Sequence, residues 1–157
     1  MSKMLWSRTF VGYFLRWRLR KRWVKIPWLP DELVLWRSIQ PDCIYRKNGQ
    51  IKPSYFRDNR GGFSCDIALL SDAESSRRGY ANPPAWDETK AGLVEFTVRS
   101  VRTCAPDGGG ADVEHHPEST PKFVNYAHAQ FTRPLTGDEE RSMAQRTRVR
   151  MSPPLTK

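Results

Sequence analysis

Apolar and polar residues alternate with different periods along this chain, and the changes of period divide it. Near the start, Trp6, Phe10, Tyr13 and Trp17 follow one another at spacings of four, three and four. That spacing stacks them on one face and predicts a helix from Met4 to about Val24. Pro27 and Pro30 stop it, so "IPWLPDE" reads as a hinge. Beyond the hinge the period shortens. "ELVLWRSI" is a short apolar run between Pro30 and Pro41 and predicts a strand. In "CIYRKNGQIKP" the Asn48-Gly49 pair lies between extended segments and predicts a tight hairpin turn. A second turn is expected at Asp58 to Gly62, flanked by extended or short helical pieces.

Residues 71 to 91 hold too many breakers for a long element and predict one helical turn plus loop. "GLVEFTV" sets Val94, Phe96 and Val98 against Leu93, Glu95 and Thr97, a strand alternation. "APDGGGAD" reads as a loop, and "DVEHHP" and "KFVNYAHAQF" as strands, the latter with Tyr126, His128 and Gln130 on one face. Thr136 with Glu139 three residues on is a capping box. Asp138, Glu139 and Glu140 in the first turn of that helix, with Arg146 and Arg148 at its far end, suit the helix dipole. "TRVRM" predicts a last strand. The expected fold is α+β: a small mixed or antiparallel sheet with few short helices, preceded by a basic aromatic helix. The expected divisions are an arm at 1–28, one domain at 29–150 and a tail at 151–157.

Charge sharpens that division. Residues 1–28 carry eight of the nine net positive charges and no Asp or Glu, so the rest of the chain is nearly neutral. The same stretch holds Trp6, Trp17, Trp23 and Trp28, four of the six tryptophans. The three cysteines, Cys43, Cys65 and Cys104, form no C-x-x-C pair and read as free thiols. Arg8 and Arg16 interrupt the best candidate for a membrane span, and no signal-peptide pattern stands at the start, so the cytosol is the expected compartment.

The strings "LWRSIQPD", "KPSYFRDNRGGFSCDIA" and "NYAHAQF" resemble those of small uncharacterised bacterial proteins that carry R-x-x-x-P, S-x-x-F-[RK]-D, S-x-D and A-H-A segments in the same order. The resemblance covers roughly residues 33 to 150 and leaves out the arm. It implies a prokaryotic source and a compact α+β fold, and nothing about chemistry.

Three features carry candidate chemistry. Guanidinium groups bind phosphate bidentately and indoles offer faces for bases, so Arg16, Trp17, Arg18, Arg20, Lys21, Arg22 and Trp23 suit RNA or single-stranded DNA. The same stretch also suits an anionic membrane surface, or a protein partner docked on its aromatic face. "FRDNRGGF" would extend the phosphate track through Arg57 and Arg60, with backbone amides at the glycines, but Gly-Gly is common in turns and a plain hairpin turn is the better account. Among the histidines, His128 within reach of Asp58 or Asp66, with His115 nearby, is the candidate acid/base for phosphodiester chemistry. Arg37, Ser54 and Glu114 offer a looser alternative, an ADP-ribosyl-transfer set. No H-x-x-x-H or C-x-x-C spacing points to metal, and no cofactor is expected. The leading expectation is a non-catalytic, nucleic-acid-associated module of a larger prokaryotic complex. A small RNA- or nucleotide-directed enzyme is the rival, and a protein-interaction adaptor or membrane-surface protein the third.

Overall fold

The computed structural model describes residues 25–58, 62–78, 88–119, 121 and 124–154. The expected arm helix and the residues Arg16, Trp17, Arg18, Arg20, Lys21, Arg22, Trp23 and Arg60 lie outside them. The architecture is α+β. Six strands form one sheet: β1 (Val34–Ile39), β2 (Ser64–Ile67), β3 (Gly92–Thr97), β4 (Val113–His115), β7 (His128–Phe131) and β8 (Arg148–Met151). They lie in the order β4-β7-β2-β1-β3-β8, every neighbouring pair antiparallel. A two-stranded ribbon, β5 (Glu118–Ser119) with β6 (Val124–Asn125), leaves the β4–β7 edge. The helices are α1 (Ala73–Arg78), α2 (Val98–Arg102) and α3 (Gly137–Arg146).

One face of the sheet is aromatic. Cross-strand pairing puts Leu35 beside both Ile67 and Phe96, and Cys65 beside Ala129. Phe56, from the 3-10 turn Pro53–Phe56, joins Phe63, Phe96 and Phe131 there, with ring centroids 5.0–6.2 Å apart. All four rings are buried. Edge and offset contacts of this kind add roughly 0.5–1.5 kcal/mol each beyond burial of their area. Helix α3 closes this layer over the Pro53–Phe56 turn, with Met143 wholly enclosed.

The capping box expected for α3 is present: the Glu139 amide donates to Thr136 Oγ1, and the Thr136 amide donates to Glu139 Oε2 at 2.8 Å. Arg133 grips the same carboxylate at 2.6 and 2.8 Å. That guanidinium, helped by the Thr136 amide, holds the buried Glu139 carboxyl down to about 2.

The Asn48-Gly49 turn also forms, with Gly49 at φ +69 where a side chain would be strained. Its flanks, expected as extended segments, meet only through the single bridge Ile44–Ile51.

Two expected elements end early. The strand over "GLVEFTV" stops at Thr97, because Thr97 Oγ1 accepts the Ser100 amide and caps α2. "KFVNYAHAQF" is not one strand. Asn125 Oδ1 accepts the Ala127 amide at 3.0 Å, and the resulting turn at Tyr126–Ala127 separates β6 from β7. Tyr126 therefore does not share a face with His128 and Gln130. It packs in the aromatic layer, edge-on to His115 at 5.1 Å.

The end of the expected arm is tied to the body. Leu29 is buried and the Ile26 amide donates to His115 Nδ1 at 2.9 Å. Arg102 donates to the Leu29 carbonyl, and Lys25 pairs with Glu114 at 3.2 Å. The last strand runs to Met151, and Pro153 packs against Gly92, where a Cβ would collide with the Met151 carbonyl. No helix among the described residues is long and apolar enough to cross a membrane.

Candidate functional site

The second face of the sheet is polar, and register explains why. Asp66 lies opposite both Trp36 and His128, Trp36 opposite Glu95, and Glu95 opposite Arg148. His116 extends this row past the end of β4, exchanging hydrogen bonds with His128: its amide donates to the His128 carbonyl at 2.8 Å. Six side chains thus form a transverse line, His116–His128–Asp66–Trp36–Glu95–Arg148. In sequence most are the polar members of apolar alternations, as in "CDI", "AHA" and "VEF".

The middle of the row is covered by α1. Asp66 is buried there and accepts from Asn125 Nδ2 at 2.7 Å and from Ser76, whose hydroxyl also bonds Ser71. Burial pushes the Asp66 carboxyl up from the ordinary range. The hydrogen bonds from Asn125 and Ser76, then the proximity of His128, oppose that rise without cancelling it. Next to it the Trp36 indole N–H is buried with no partner among the described residues, while Arg150 lies over the ring and pairs with Glu95.

At the open end of the row three ligand-bearing side chains converge. His116, Glu118 and His128 present nitrogen and oxygen atoms that all lie within 4.8 Å of one another. His128 is buried, Glu118 half-buried and His116 exposed. His128 Nδ1 lies 2.6 Å from the His116 carbonyl. A carbonyl only accepts, so Nδ1 carries the proton and, in the neutral ring, Nε2 keeps its lone pair. That Nε2 sits 3.7 Å from Glu118 Oε1. The β5–β6 ribbon creates the meeting, since it folds Glu118 back beside Asn125 and so beside the start of β7. Glu118 had no motif to mark it, and neither did Ser76 or Trp36. The "EHHPE" string hinted only that acids and imidazoles were close in sequence.

The other residues singled out by sequence fall elsewhere. His115 is fully buried in the aromatic layer, with Nδ1 accepting from Ile26 and Nε2 donating to the Tyr126 carbonyl at 2.7 Å. Both ring nitrogens are occupied, and burial lowers its pKa. It packs and does not join His128. Asp58 follows the Pro53–Phe56 turn, which belongs to the aromatic layer, whereas His128 faces the other side. Arg37 lies on the aromatic face, its guanidinium 3.8 Å above the Phe63 ring and donating to the Ser64 carbonyl. Ser54 is within the Pro53–Phe56 turn, and Glu114, opposite Gln130, is on the polar face. Arg37, Ser54 and Glu114 therefore do not form one site. Arg57 is held by both oxygens of the buried Glu140 at 3.2–3.3 Å.

That ion pair is typical of the body. Arg99 binds Asp31 and Glu32, Arg102 binds Asp31 and Asp112, Arg77 and Arg78 share Glu74, and Arg133, Arg141 and Arg150 each hold a carboxylate. Arg46, Lys47 and Lys52 differ: among the described residues none has a carboxylate partner. They surround the Asn48-Gly49 turn together with Tyr45, which is 46% exposed and has Lys52 near its ring. A groove of about 790 Å³ runs beside them, lined by Gln40, Asp42, Tyr45, Arg46, Lys52 and Ser152. Comparison of the chain with family models, curated proteins and solved structures finds no match, so the geometry alone must support any reading of what the protein does.

Proposed function

We propose that this protein is a nucleic-acid-associated accessory module, acting within a larger assembly and gripping phosphate backbone. One observation carries the reading: eight of the body's seventeen carboxylates are already engaged by body arginines. Asp31, Glu32, Glu74, Glu95, Asp112, Asp138, Glu139 and Glu140 each hold a guanidinium from residues beyond 29. They are not at hand to neutralise the cations of residues 1–24, of which the sequence has seven and no acid. Lys25, next in line, is paired with Glu114. The counter-charge for Arg16, Arg18, Arg20, Lys21 and Arg22 then comes from another molecule, and a polyanion supplies it most densely. Trp17 and Trp23 supply stacking faces, and the Tyr45 groove offers a second, smaller set of cations that have no carboxylate partner among the described residues, beside an exposed ring. Phosphate contacts position a protein and carry no sequence information, so binding is sequence-tolerant.

The test is a titration of a single-stranded oligonucleotide at two salt concentrations. Three full-length proteins are compared: the native chain, one with Arg16, Arg18, Arg20, Lys21 and Arg22 changed to Gln, and one with Arg46, Lys47 and Lys52 changed to Gln. Affinity should fall steeply with salt, most of it should vanish in the first variant, and a smaller part in the second. A flat salt response, or native affinity in the first variant, defeats the reading.

The enzymatic alternative keeps one specific support, that Asp66 and Glu118 both flank His128. It requires turnover of RNA or a nucleotide that is lost in His128→Gln while binding persists.

A further inference from the structure

We propose that His116, Glu118 and His128 form a binding site for a divalent transition-metal ion of the zinc class. The proposal is independent of nucleic-acid binding. It begins with the geometry at His128. The ring donates through Nδ1 to a backbone carbonyl, which fixes the tautomer and aims the bare Nε2 at the Glu118 carboxylate, 3.7 Å away. With a His116 ring nitrogen, these atoms all lie within 4.8 Å of one another, the spread of donors around one ion. Ligation through Nε2 with Nδ1–H bonded to a carbonyl is the arrangement that orients metal-binding imidazoles. The third donor is close: the His116 ring lies 5.7 Å from the His128 ring, centroid to centroid, at 73°.

The spacing fits an ion about 2.0–2.2 Å from each donor, for which tetrahedral ligand atoms stand roughly 3.3 Å apart. His128 and Glu118 are near that separation already. His116, exposed on its own chain segment, closes the rest by rotating about its side-chain bonds. The scaffold is rigid where it matters, because His128 is buried in a strand with a neighbour on each side. Two imidazoles and one carboxylate favour zinc, cobalt, nickel or copper over magnesium or calcium, which prefer all-oxygen shells. Three protein ligands would leave a fourth position for water. The site is thus of the open type.

The experiment titrates metal-free, full-length protein with Co²⁺, Zn²⁺ and Mg²⁺ separately, following cobalt absorption, calorimetric heat and the thermal midpoint. One equivalent of Co²⁺ or Zn²⁺ should bind, cobalt should show the visible bands of a low-coordinate N/O site, and the midpoint should rise with both ions and not with Mg²⁺. His116→Ala and Glu118→Gln change side chains that are not buried, so both variants should keep the native circular dichroism. Each should lose tenfold or more in affinity, the least expected when even an outer partner of a ligand costs that much. Cys43→Ser should bind as the native chain does, which separates this site from a thiol. The proposal falls if no ion binds, if Mg²⁺ competes equally, if Cys43→Ser abolishes binding, or if the His116 and Glu118 variants bind unchanged. It also falls if the His128 imidazole signals are the same by NMR with and without zinc.

Discussion

Alternate residues of the same strands make the two faces of the sheet, and they solve different problems. On one face Leu35, Ile67, Phe96, Ala129 and Phe131 meet Phe56, Phe63 and Met143, and the Arg37 guanidinium is spread on a ring. On the other, His116, His128, Asp66, Trp36, Glu95 and Arg148 form a polar line. Apolar surface is stabilised by leaving water, in rough proportion to area and without regard to direction. The polar line gains little that way, since each buried group must recover in the protein the hydrogen bonds it gave up. Asp66 recovers them from Asn125 and Ser76, and the Trp36 N–H finds no partner among the described residues. The polar face is therefore the costlier one to maintain, and it is where three ligand atoms are brought together. Fold stability and candidate chemistry are separated by a single peptide plane.

If that division is right, the largest loss should come from the aromatic face. Phe63→Ala should cost about 3–5 kcal/mol in urea unfolding, the usual toll of emptying an enclosed aromatic site. A cost below about 1 kcal/mol, the size of a surface change, would mean the rings are not the core. Next is the carboxylate that fastens α3 over those rings. Glu139→Gln should cost roughly 1–3 kcal/mol near neutral pH, because Arg133 and the Thr136 amide lose a charged acceptor. The folded carboxyl is held down to about 2, so its contribution is complete above the unfolded value of 4.5 and fades as pH falls between them. The gap between native and variant midpoints should close over that acidic range. A gap unchanged down to the lower limit would place the effect in packing.

Asp66→Asn probes the polar face with the opposite sign. Its folded carboxyl is raised, so the folded state holds the proton more tightly and the native protein loses stability as pH climbs above 3.8 toward the folded value. Asparagine removes that slope while still accepting from Asn125. The variant should gain on the native chain from acid to neutral pH, by about 1 kcal/mol. An identical pH profile would show that burial does not weigh on this carboxylate. Smallest of all should be Glu114→Gln, which breaks the exposed pair with Lys25: no more than about 0.5 kcal/mol. A larger loss would mean that residues 25–29 are held by charge, and not by the burial of Leu29 and the Ile26–His115 bond.

Local chemistry made several elements legible. Thr136 and Glu139 announced their helix because a capping box needs only four consecutive residues. Asn48-Gly49 announced its turn because few dipeptides accept a positive φ. The alternation in "GLVEF" announced β3, but not where it ended: Thr97 sits equally well in a strand or at an N-cap, and only the Ser100 amide decides. Tyr126 was misplaced for a like reason, since "NYAHAQF" alternates well enough to hide a turn whose cause is one Asn125 hydrogen bond.

The sequence by itself determined the α+β composition, the strand-like runs and the concentration of cations in the first 28 residues, because these depend on neighbours a few positions apart. Only the tertiary structure decided which charges are satisfied and which side chains meet. His115 and His116 are adjacent in the chain and point to opposite layers, while His116 meets His128 across two strands and Glu118 by way of a ribbon. Antiparallel register sets those meetings, and register depends on how every strand packs at once. A pleated strand turns successive side chains to opposite faces, so a shift of one residue would exchange the buried histidine for the ligating one.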